Sequence, residues 1–232
     1  MGVEGRFSCY LIGSESLLVQ CAEILRERGH EIRGIASEEA PILAWARERG
    51  IATIDPSGDL ATELAGDFDY LFSITHLKLL PDSVLRRPRR AAINFHDGPL
   101  PSYAGMYTPA WALIAREPRY GISWHVMRSE LDEGDLLATR SFDVAPNETS
   151  LTINTKCYEA AIESFGPLCD ALASGSASPI PQDLRQKHYF GKWLRPAAAG
   201  LLDFTRPAPD LEALVRALDF GRYENPLGTA KL

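Results

Sequence analysis

The chain has 232 residues, of which 45% are hydrophobic and 24% charged, and its formal net charge is −7. This composition predicts one large globular domain, or one domain with an appendage. An acidic chain lacks the positive charge typical of nucleic-acid-binding proteins, and no apolar run predicts a secretion signal or a membrane span. We therefore expect a cytoplasmic protein without nucleic-acid or membrane partners.

The sequence indicates neither a metal nor a dinucleotide. The four cysteines, Cys9, Cys21, Cys157 and Cys169, form no CxxC pair. We expect free thiols in the core, as in a reducing compartment, and no zinc site. The turn Ile12-Gly13-Ser14-Glu15 has one glycine where a dinucleotide-binding turn has GxGxxG, so no NAD is expected.

Apolar runs alternate with segments of helical periodicity along the first half of the chain. Strands are predicted at residues 7–12, 31–36, 51–54, 70–74 and 91–96. Helices are predicted after Ser14 or Ser16, after Ser37, from Leu60 and from Pro81. This alternation predicts an α/β fold with a mostly parallel, Rossmann-like sheet flanked by helices.

The second half adds a helix at Thr108-Pro109, a strand at 120–127, an apolar run from Leu136, and a long helix from Asn147 or Thr149 to about Ala173. A Ser-, Pro- and Gly-rich linker follows at 174–181, then short strands at 187–190 and 199–204 and a helix at 210–218. We predict a main domain over 1–175 and, over 176–232, a linker with a small C-terminal appendage. The final residues do not resemble a natural stop, which favours a piece of a longer protein.

Two polar side chains end the strand at 91–96. Side chains alternate along a strand, so Asn94 and His96 point to one side and Phe95 to the other. A loop rich in glycine and proline follows, and ligands of open α/β sheets bind at the carboxyl ends of strands. The pair is therefore either part of a ligand site or a polar strand end that is hydrogen-bonded to its loops.

An acidic turn, residues 130–135, follows the strand at 120–127. By itself, Asp132 is typical of an ordinary turn, and Gly134 is typical of a turn whose backbone requires glycine. Within the strand, we interpret His125 as a satisfied core histidine and Trp124 as a core residue.

Asn-x-His, then a Pro-rich loop, then a Leu-Asp-x-Gly-Asp turn resembles the folate-dependent formyltransferases, and the resemblance extends from about Phe7 to the end of the chain. That superfamily includes enzymes acting on methionyl-tRNA, glycinamide ribonucleotide and amino sugars, and formylation domains of nonribosomal peptide synthetases. The resemblance implies that residues 1–175 form a catalytic domain in which Asn94, His96 and Asp132 are catalytic. Asn94 would donate to the oxyanion, His96 would act as acid or base, and Asp132 would orient His96 and tune it.

The resemblance also implies a co-substrate and two sets of binding residues. The donor would be 10-formyltetrahydrofolate, with no metal required. The residues implied to line the folate pocket are Ile74, Thr75, His76, Leu77, Leu79, Leu131, Gly134 and Asp135. The residues implied to lie near the acceptor amine are Tyr103, Gly105 and Met106.

One loop departs from the family pattern. Many members have His-x-Ser-Leu-Leu-Pro, where this chain has His96-Asp97-Gly98-Pro99-Leu100-Pro101. This form looks most like the formylation domains of peptide synthetase and polyketide assembly lines, which implies an aminoacyl group on a carrier protein as the preferred acceptor. An amino sugar is the alternative acceptor, and the acidic charge disfavours methionyl-tRNA. A non-catalytic binding or docking module with the same fold is the alternative from another class.

Overall fold

The computed structural model describes residues 5–232 and contains two sheets. The strands are β1 Ser8–Gly13, β2 Glu31–Ala36, β3 Ala52–Ile54, β4 Tyr70–Ile74, β5 Ala91–His96, β6 Ala104–Gly105, β7 Arg119–Val126, β8 Leu136–Asp143 and β9 Tyr189–Phe190. The helices are α1 Glu15–Glu27, α2 Ala40–Glu48, α3 Leu60–Glu63, α4 Asp82–Leu85, α5 Thr108–Ala115, α6 Ser150–Ser174 and α7 Ala208–Ala217. None of the helices in this described part is long and apolar enough to cross a membrane.

The large sheet has seven strands in the order β3-β2-β1-β4-β5-β7-β8. The pairs β2–β3, β1–β2, β1–β4 and β4–β5 are parallel, and β5–β7 is antiparallel. The predicted α/β fold with a mostly parallel sheet is confirmed. Strands β1 and β4 are buried along their whole length, which explains why their sequences are continuous apolar runs.

The core beside the sheet is apolar. One buried cluster joins strands β1 and β4 to the short helices α3 and α4 and includes Tyr10, Ile12, Leu60, Leu64, Phe68, Leu71 and Val84. Trp124 is fully buried, as predicted, with ring centroids 5.3 Å from Phe95 and 4.9 Å from Phe165. Its indole nitrogen donates to the Ser164 hydroxyl at 3.0 Å, which satisfies the polar atom that burial would otherwise leave unpaired.

The chain divides into two compact units, each assembled from three segments. The first unit contains the described residues up to His96, together with 123–139 and 161–182. The second contains residues 97–122, 140–160 and 183–232. In the second unit β6 pairs in parallel with β9, and the Ser150 hydroxyl donates to the Ala217 carbonyl at 2.6 Å. The predicted division near residue 175 stays a prediction.

One prediction for the C-terminal residues is wrong. The segment at 199–204 is not a strand, because Ala198 and Ala199 have φ angles of 49° and 51°, in the left-handed region that breaks an extended run. The predicted linker at 174–181 has one ordered contact with the first unit's sheet. Ile180 exchanges two backbone hydrogen bonds of 2.8 Å with Leu136 at the start of β8.

All four cysteines are buried free thiols, as the sequence predicted. Burial raises the pKa of each of these thiols. A thiol with a raised pKa stays protonated near neutrality and reacts slowly. The cysteines are therefore core side chains in the folded protein.

Candidate active site

Strand β5 positions the first two side chains of the candidate site. Asn94 pairs in the ladder with Ser73 of β4 on one side and with His125 of β7 on the other. Phe95 points away and packs on Trp124, so the predicted alternation of the three residues is confirmed. Asn94 and His96 are thus held by a strand that has hydrogen-bonded neighbours on both sides.

The antiparallel neighbour contributes a histidine directly across from Asn94. The Asn94 Nδ2 atom lies 3.3 Å from the His125 Nε2 atom, and His125 Nδ1 lies 3.0 Å from the Val126 carbonyl oxygen. Because that carbonyl can only accept, Nδ1 carries the proton, and Nε2 accepts from the Asn94 amide. His125 therefore fixes the Asn94 side chain with one N–H engaged and the other N–H free to point elsewhere.

Burial keeps His125 uncharged. Its side chain is 4% exposed, and desolvation, with a smaller contribution from His96, lowers the pKa of His125 to about 4 although Asp132 and the Val126 carbonyl act in the opposite direction. The sequence prediction of a buried histidine is correct, but its membership of the site was missed. His125 lies in the site because of the register of β7 against β5, and no local sequence signal specifies that register.

Asp132 completes the cluster from the acidic turn. Its Oδ1 atom lies 3.9 Å from His96 Nδ1 and 3.6 Å from His125 Nε2. Both distances exceed a direct hydrogen bond, so Asp132 acts on these imidazoles through its charge or through a bridging water. Its φ of 57° lies in the left-handed region, which aspartate tolerates better than most residues. The three residues predicted to be catalytic are therefore brought together.

The acidic turn must fold back along β5 to bring Asp132 to this position. Since β7 is antiparallel to β5, the chain leaves β7 at Val126, which lies opposite Ile93, and Asp132 returns towards His96. Gly134 makes this path possible, because a Cβ atom there would lie 1.7 Å from the Val126 carbonyl oxygen. Glycine is required at Gly134 by this close approach of two backbones.

Side-chain and backbone contacts hold the turn in place. Gln182 Nε2 donates to the carbonyl oxygens of Asp132 at 2.9 Å and Gly134 at 2.6 Å. The Asp135 carbonyl accepts the Val126 N–H at 2.9 Å, and the Asp135 carboxylate pairs with Arg128 at 2.8 Å. Sequence reasoning missed Gln182, because a glutamine in a Pro-rich linker gives no signal of a tertiary contact.

The residues after β4 line a cleft of about 250 Å³. Its walls include Gly13, Ser14, Glu38, Pro56, Thr75, His76, Leu77 and Lys78. The Ser14 hydroxyl makes no hydrogen bond to the start of α1 and donates to the Thr75 carbonyl at 2.8 Å. The Thr75 hydroxyl lies within hydrogen-bond distance of the carbonyls of Ile74 and Ser14, and Thr75 has a φ of 53°, which is unusual for a β-branched residue.

The other predicted folate-pocket residues differ in exposure. Ile74 is fully buried, Leu77 and Leu79 are each 74% exposed, and Leu131 is 41% exposed. The pKa of His76 is lowered, mainly by burial and then by Lys78, with Glu38 opposing. His76 is therefore an uncharged wall of the cleft at neutral pH.

The predicted acceptor residues lie in the second unit. Tyr103 is buried, its hydroxyl donates to Glu117 at 2.8 Å, and its ring stacks on Phe190 with centroids 5.5 Å apart. Burial, with Glu117 adding to it, raises the pKa of Tyr103. These contacts make Tyr103 a core residue of this unit, so its geometry disfavours direct contact with an acceptor.

Gly105 also has a packing role in the second unit. A Cβ atom on Gly105 would lie 2.2 Å from the Phe190 carbonyl oxygen, and its φ is 100°. Met106 is half-buried, and its N–H donates to the Phe190 carbonyl at 2.8 Å. For both residues, a contact with the acceptor stays a prediction.

Within residues 5–232, no group of three or more His, Cys, Asp or Glu side chains has the arrangement of a metal site. The chemistry of the cluster is that of one amide, two imidazoles and one carboxylate. Such a set can donate to an oxygen that gains negative charge and can move a proton.

The segment that holds the cluster is similar to one family of enzymes, the formyltransferases. Residues 60–165 match the model of the family described as formyl transferase, and Asn94, His96, His125 and Asp132 all lie in that segment. This segment of the chain, a little under half of its length, is therefore similar to the formyl transferase family.

Solved structures share the fold over nearly the whole chain. The chain is 19% identical to a 4-N formyltransferase from Francisella tularensis, with a TM-score of 0.78 over 96% of this chain and 92% of that one. An N-formyltransferase from Helicobacter canadensis, solved with folinic acid and dTDP-3-aminofucose, is 15% identical, with a TM-score of 0.78 over 90% and 79%. HypX from Aquifex aeolicus, in complex with tetrahydrofolic acid, is 20% identical, with a TM-score of 0.69 over 92% and 34%.

Proposed function

We propose that this chain transfers a formyl group from 10-formyltetrahydrofolate to a primary amine. One observation carries the proposal. Asn94, His96, His125 and Asp132 converge at separations of 3.3 to 3.9 Å within the segment that matches the formyl transferase family. A scaffold has no need of an amide, two buried imidazoles and a carboxylate in one place, which argues against a non-catalytic module.

The donor supplies a one-carbon acyl group, and each residue has a part in its transfer. As the amine nitrogen forms its bond to the formyl carbon, the carbonyl oxygen gains negative charge, and the free N–H of Asn94 donates to it. The bond from carbon to the donor nitrogen then breaks. The amine loses one proton and the donor nitrogen gains one, so no oxidant or reductant is needed. His96 carries that proton.

The two remaining residues have supporting roles. His125 is uncharged, because its pKa of about 4 is far below neutrality, and it orients Asn94 by accepting from its amide. The Asp132 carboxylate lies 3.9 Å from His96 Nδ1 and orients that imidazole through its charge or through a bridging water. The burial of the cluster strengthens each of these electrostatic interactions.

The residues after β4 fit a folate donor. The highly exposed leucines Leu77 and Leu79 offer apolar surface for a flat ring, and Leu77 also lines the cleft. The hydroxyl contacts between Ser14 and Thr75 hold the cleft wall in shape before a ligand arrives. Ile74, Thr75, His76, Leu77 and Leu79 would contact the donor from this side.

For the acceptor, the comparisons support an amino sugar better than a carrier-borne aminoacyl group. The Helicobacter canadensis structure holds dTDP-3-aminofucose, an amine on a nucleotide-linked sugar. The carrier-protein acceptor depends on the sequence resemblance of the Gly98-Pro99 loop alone. We therefore propose a small nucleotide-linked amino sugar as the acceptor and keep the carrier-borne amine as a competitor in the test.

The test has two stages. Folinic acid, a stable formyl-folate, is first titrated into the protein by calorimetry. The protein is then incubated with 10-formyltetrahydrofolate and one of two amines, a dTDP-amino sugar or an aminoacyl phosphopantetheine, and the products are weighed by mass spectrometry. The expected result is folinic acid binding and a gain of one formyl group on the amino sugar.

Matched variants make the result specific to the cluster. His96→Ala is expected to abolish the mass gain while folinic acid still binds, and the exposed His188→Ala is expected to leave both unchanged. If only the phosphopantetheine substrate is formylated, the acceptor is a carrier-borne amine and the proposed amino sugar is wrong. A folded protein that binds no folate and formylates neither amine would sink the proposal.

A further inference from the structure

One side chain from a distant part of the sequence makes two hydrogen bonds to the turn that carries Asp132. Gln182 Nε2 donates to the carbonyls of Asp132 and Gly134, at 2.9 and 2.6 Å. The orientation of this amide follows from chemistry, because two carbonyl oxygens can only be bridged by the NH2 group. The two hydrogen bonds enclose Glu133 and therefore fix the backbone on both sides of it.

The turn needs such a constraint. Asp132 has a φ of 57°, and Gly134 approaches the Val126 carbonyl so closely that no Cβ fits. Asp132 is also too far from His96 and His125, at 3.9 and 3.6 Å, to be held by hydrogen bonds to their rings. Among these contacts, the hydrogen bond from Gln182 acts directly on the backbone of Asp132.

The other end of the same amide is unusual. Gln182 Oε1 is buried and has no hydrogen-bond partner within residues 5–232. A buried acceptor without a partner lowers the free energy of unfolding, and this loss offsets part of the stabilisation from the two hydrogen bonds of the amide. The contacts it does make are both to the turn of the candidate active site.

We propose that Gln182 is a positioning residue for formyl transfer, which sets the direction of the Asp132 carboxylate by holding the 132–134 backbone. The inference rests on the proposed function, since Asp132 is assigned its role there. Without the clamp, the left-handed turn relaxes, and Asp132 moves away from His96. A misplacement of about 1 Å in a catalytic group can lower a rate by roughly 100-fold.

The first experiment does not need activity. Hydrogen exchange followed by mass spectrometry is measured for the wild type, for Gln182→Met and for Gln20→Met, an exposed glutamine on α1. Methionine keeps the length of the side chain and removes both polar atoms. We expect faster exchange confined to residues 127–136 in Gln182→Met and no change in Gln20→Met. Unchanged exchange in the turn would overturn the proposal, whether or not the chain is a formyltransferase.

The second experiment is a double-mutant cycle with Asp132→Asn, with kcat as the readout. Gln182→Met alone is expected to lower kcat roughly 10- to 100-fold, with the KM for the amine within about threefold. In the Asp132→Asn background the same change is expected to have little further effect, because the group it positions has lost its charge. Losses that multiply in the double variant would show that Gln182 acts independently of Asp132 and would overturn the proposal.

A third variant separates positioning from packing. Gln182→Glu keeps the shape but turns a carboxylate towards two carbonyl oxygens, so kcat should fall further than in Gln182→Met and recover partly as the pH is lowered and the new carboxyl gains a proton. A kcat that shows no such recovery would contradict the clamp. Loosened exchange in Gln182→Met combined with no formyl transfer by the wild type would overturn the proposed function alone.

Discussion

The two halves of the candidate active site are held by different means. The strand half, Asn94 and His96, sits on β5, which has backbone hydrogen bonds to β4 and β7 on either side. The turn half, residues 127–135, depends on Gln182, on the close approach at Gly134 and on the pair Arg128–Asp135. Side chains of the strand half can change without moving their backbone, whereas the turn half depends on individual residues for its path.

The largest fall in kcat should come from a substitution in the strand half, and it should occur without a loss of stability. Asn94→Ala removes the N–H donor for the developing oxyanion, so kcat should fall roughly 100- to 1,000-fold, about 3–4 kcal/mol in the barrier. The β5 ladder uses backbone groups and should keep its stability. Steady-state kinetics and thermal unfolding measure the two quantities, with the exposed Asn147→Ala as a matched control. A kcat within tenfold of wild type would remove Asn94 from the mechanism.

His125 links the strand half to protein stability. Its pKa of about 4 lies below the ordinary value near 6.5, so between these pH values the unfolded chain binds a proton that the folded protein does not. Stability from this group is present above pH 6.5 and is lost as the pH falls towards 4, by roughly 3 kcal/mol.

Urea unfolding at several pH values measures this effect. The wild type and His125→Asn should differ in slope over that window, with the shallower slope in the variant. Other groups that are protonated in the same window contribute equally to both proteins, so the difference isolates His125. Parallel slopes would mean that His125 is charged or exposed in the folded protein.

In the turn half, a single methyl group should matter. Gly134→Ala places a Cβ 1.7 Å from the Val126 carbonyl oxygen, so the turn must shift, and overpacking of this kind typically costs about 1–3 kcal/mol. Activity should fall together with stability, unlike in Asn94→Ala. Gly58→Ala is the control, since its Cβ would meet only the Asp55 carbonyl, at an ordinary 3.6 Å. Equal unfolding temperatures for the two alanine variants would contradict the close approach.

The smallest effect is expected at the edge of the turn. Asp135→Asn removes the ion pair with Arg128, whose side chain is 53% exposed, while the Asp135 backbone still accepts from Val126. Pairs of this exposure contribute about 0–1 kcal/mol, so stability and kcat should change little. If Asp135 instead contacts the donor, as the sequence predicted, the Kd for folinic acid in calorimetry should rise well beyond fivefold.

The strand half could be predicted from sequence, and the turn half could be predicted only in part. Alternation along β5 is a local property, so the shared direction of Asn94 and His96 followed from three consecutive residues. The contacts of His125 and Gln182 in the site were not predicted, because they depend on strand register and on the reversal of the chain. Neither the pairing of His125 with Asn94 nor the return of residue 182 to the turn has a local sequence signature.

The same distinction holds for the fold. The predicted limits of β2, β4 and β5 match the observed ones. For β4 the reason is burial along the whole strand, which requires an apolar composition. The strand expected at 199–204 is absent, because Ala198 and Ala199 adopt a left-handed conformation that alanine does not favour and that its sequence does not predict. Tyr103 shows the same limit for function, since its burial against Phe190 arises from residues far along the chain.

The buried thiols can also serve as probes of local opening. A reagent that modifies thiolates cannot reach any of the four cysteines in the folded protein, so each labelling event reports an opening. Cys9, Cys21 and Cys169 lie in the first unit and Cys157 in the second. The order in which these positions acquire label would therefore reveal which unit opens first. Labelling with and without a ligand would show whether binding lowers the rate of opening in each unit.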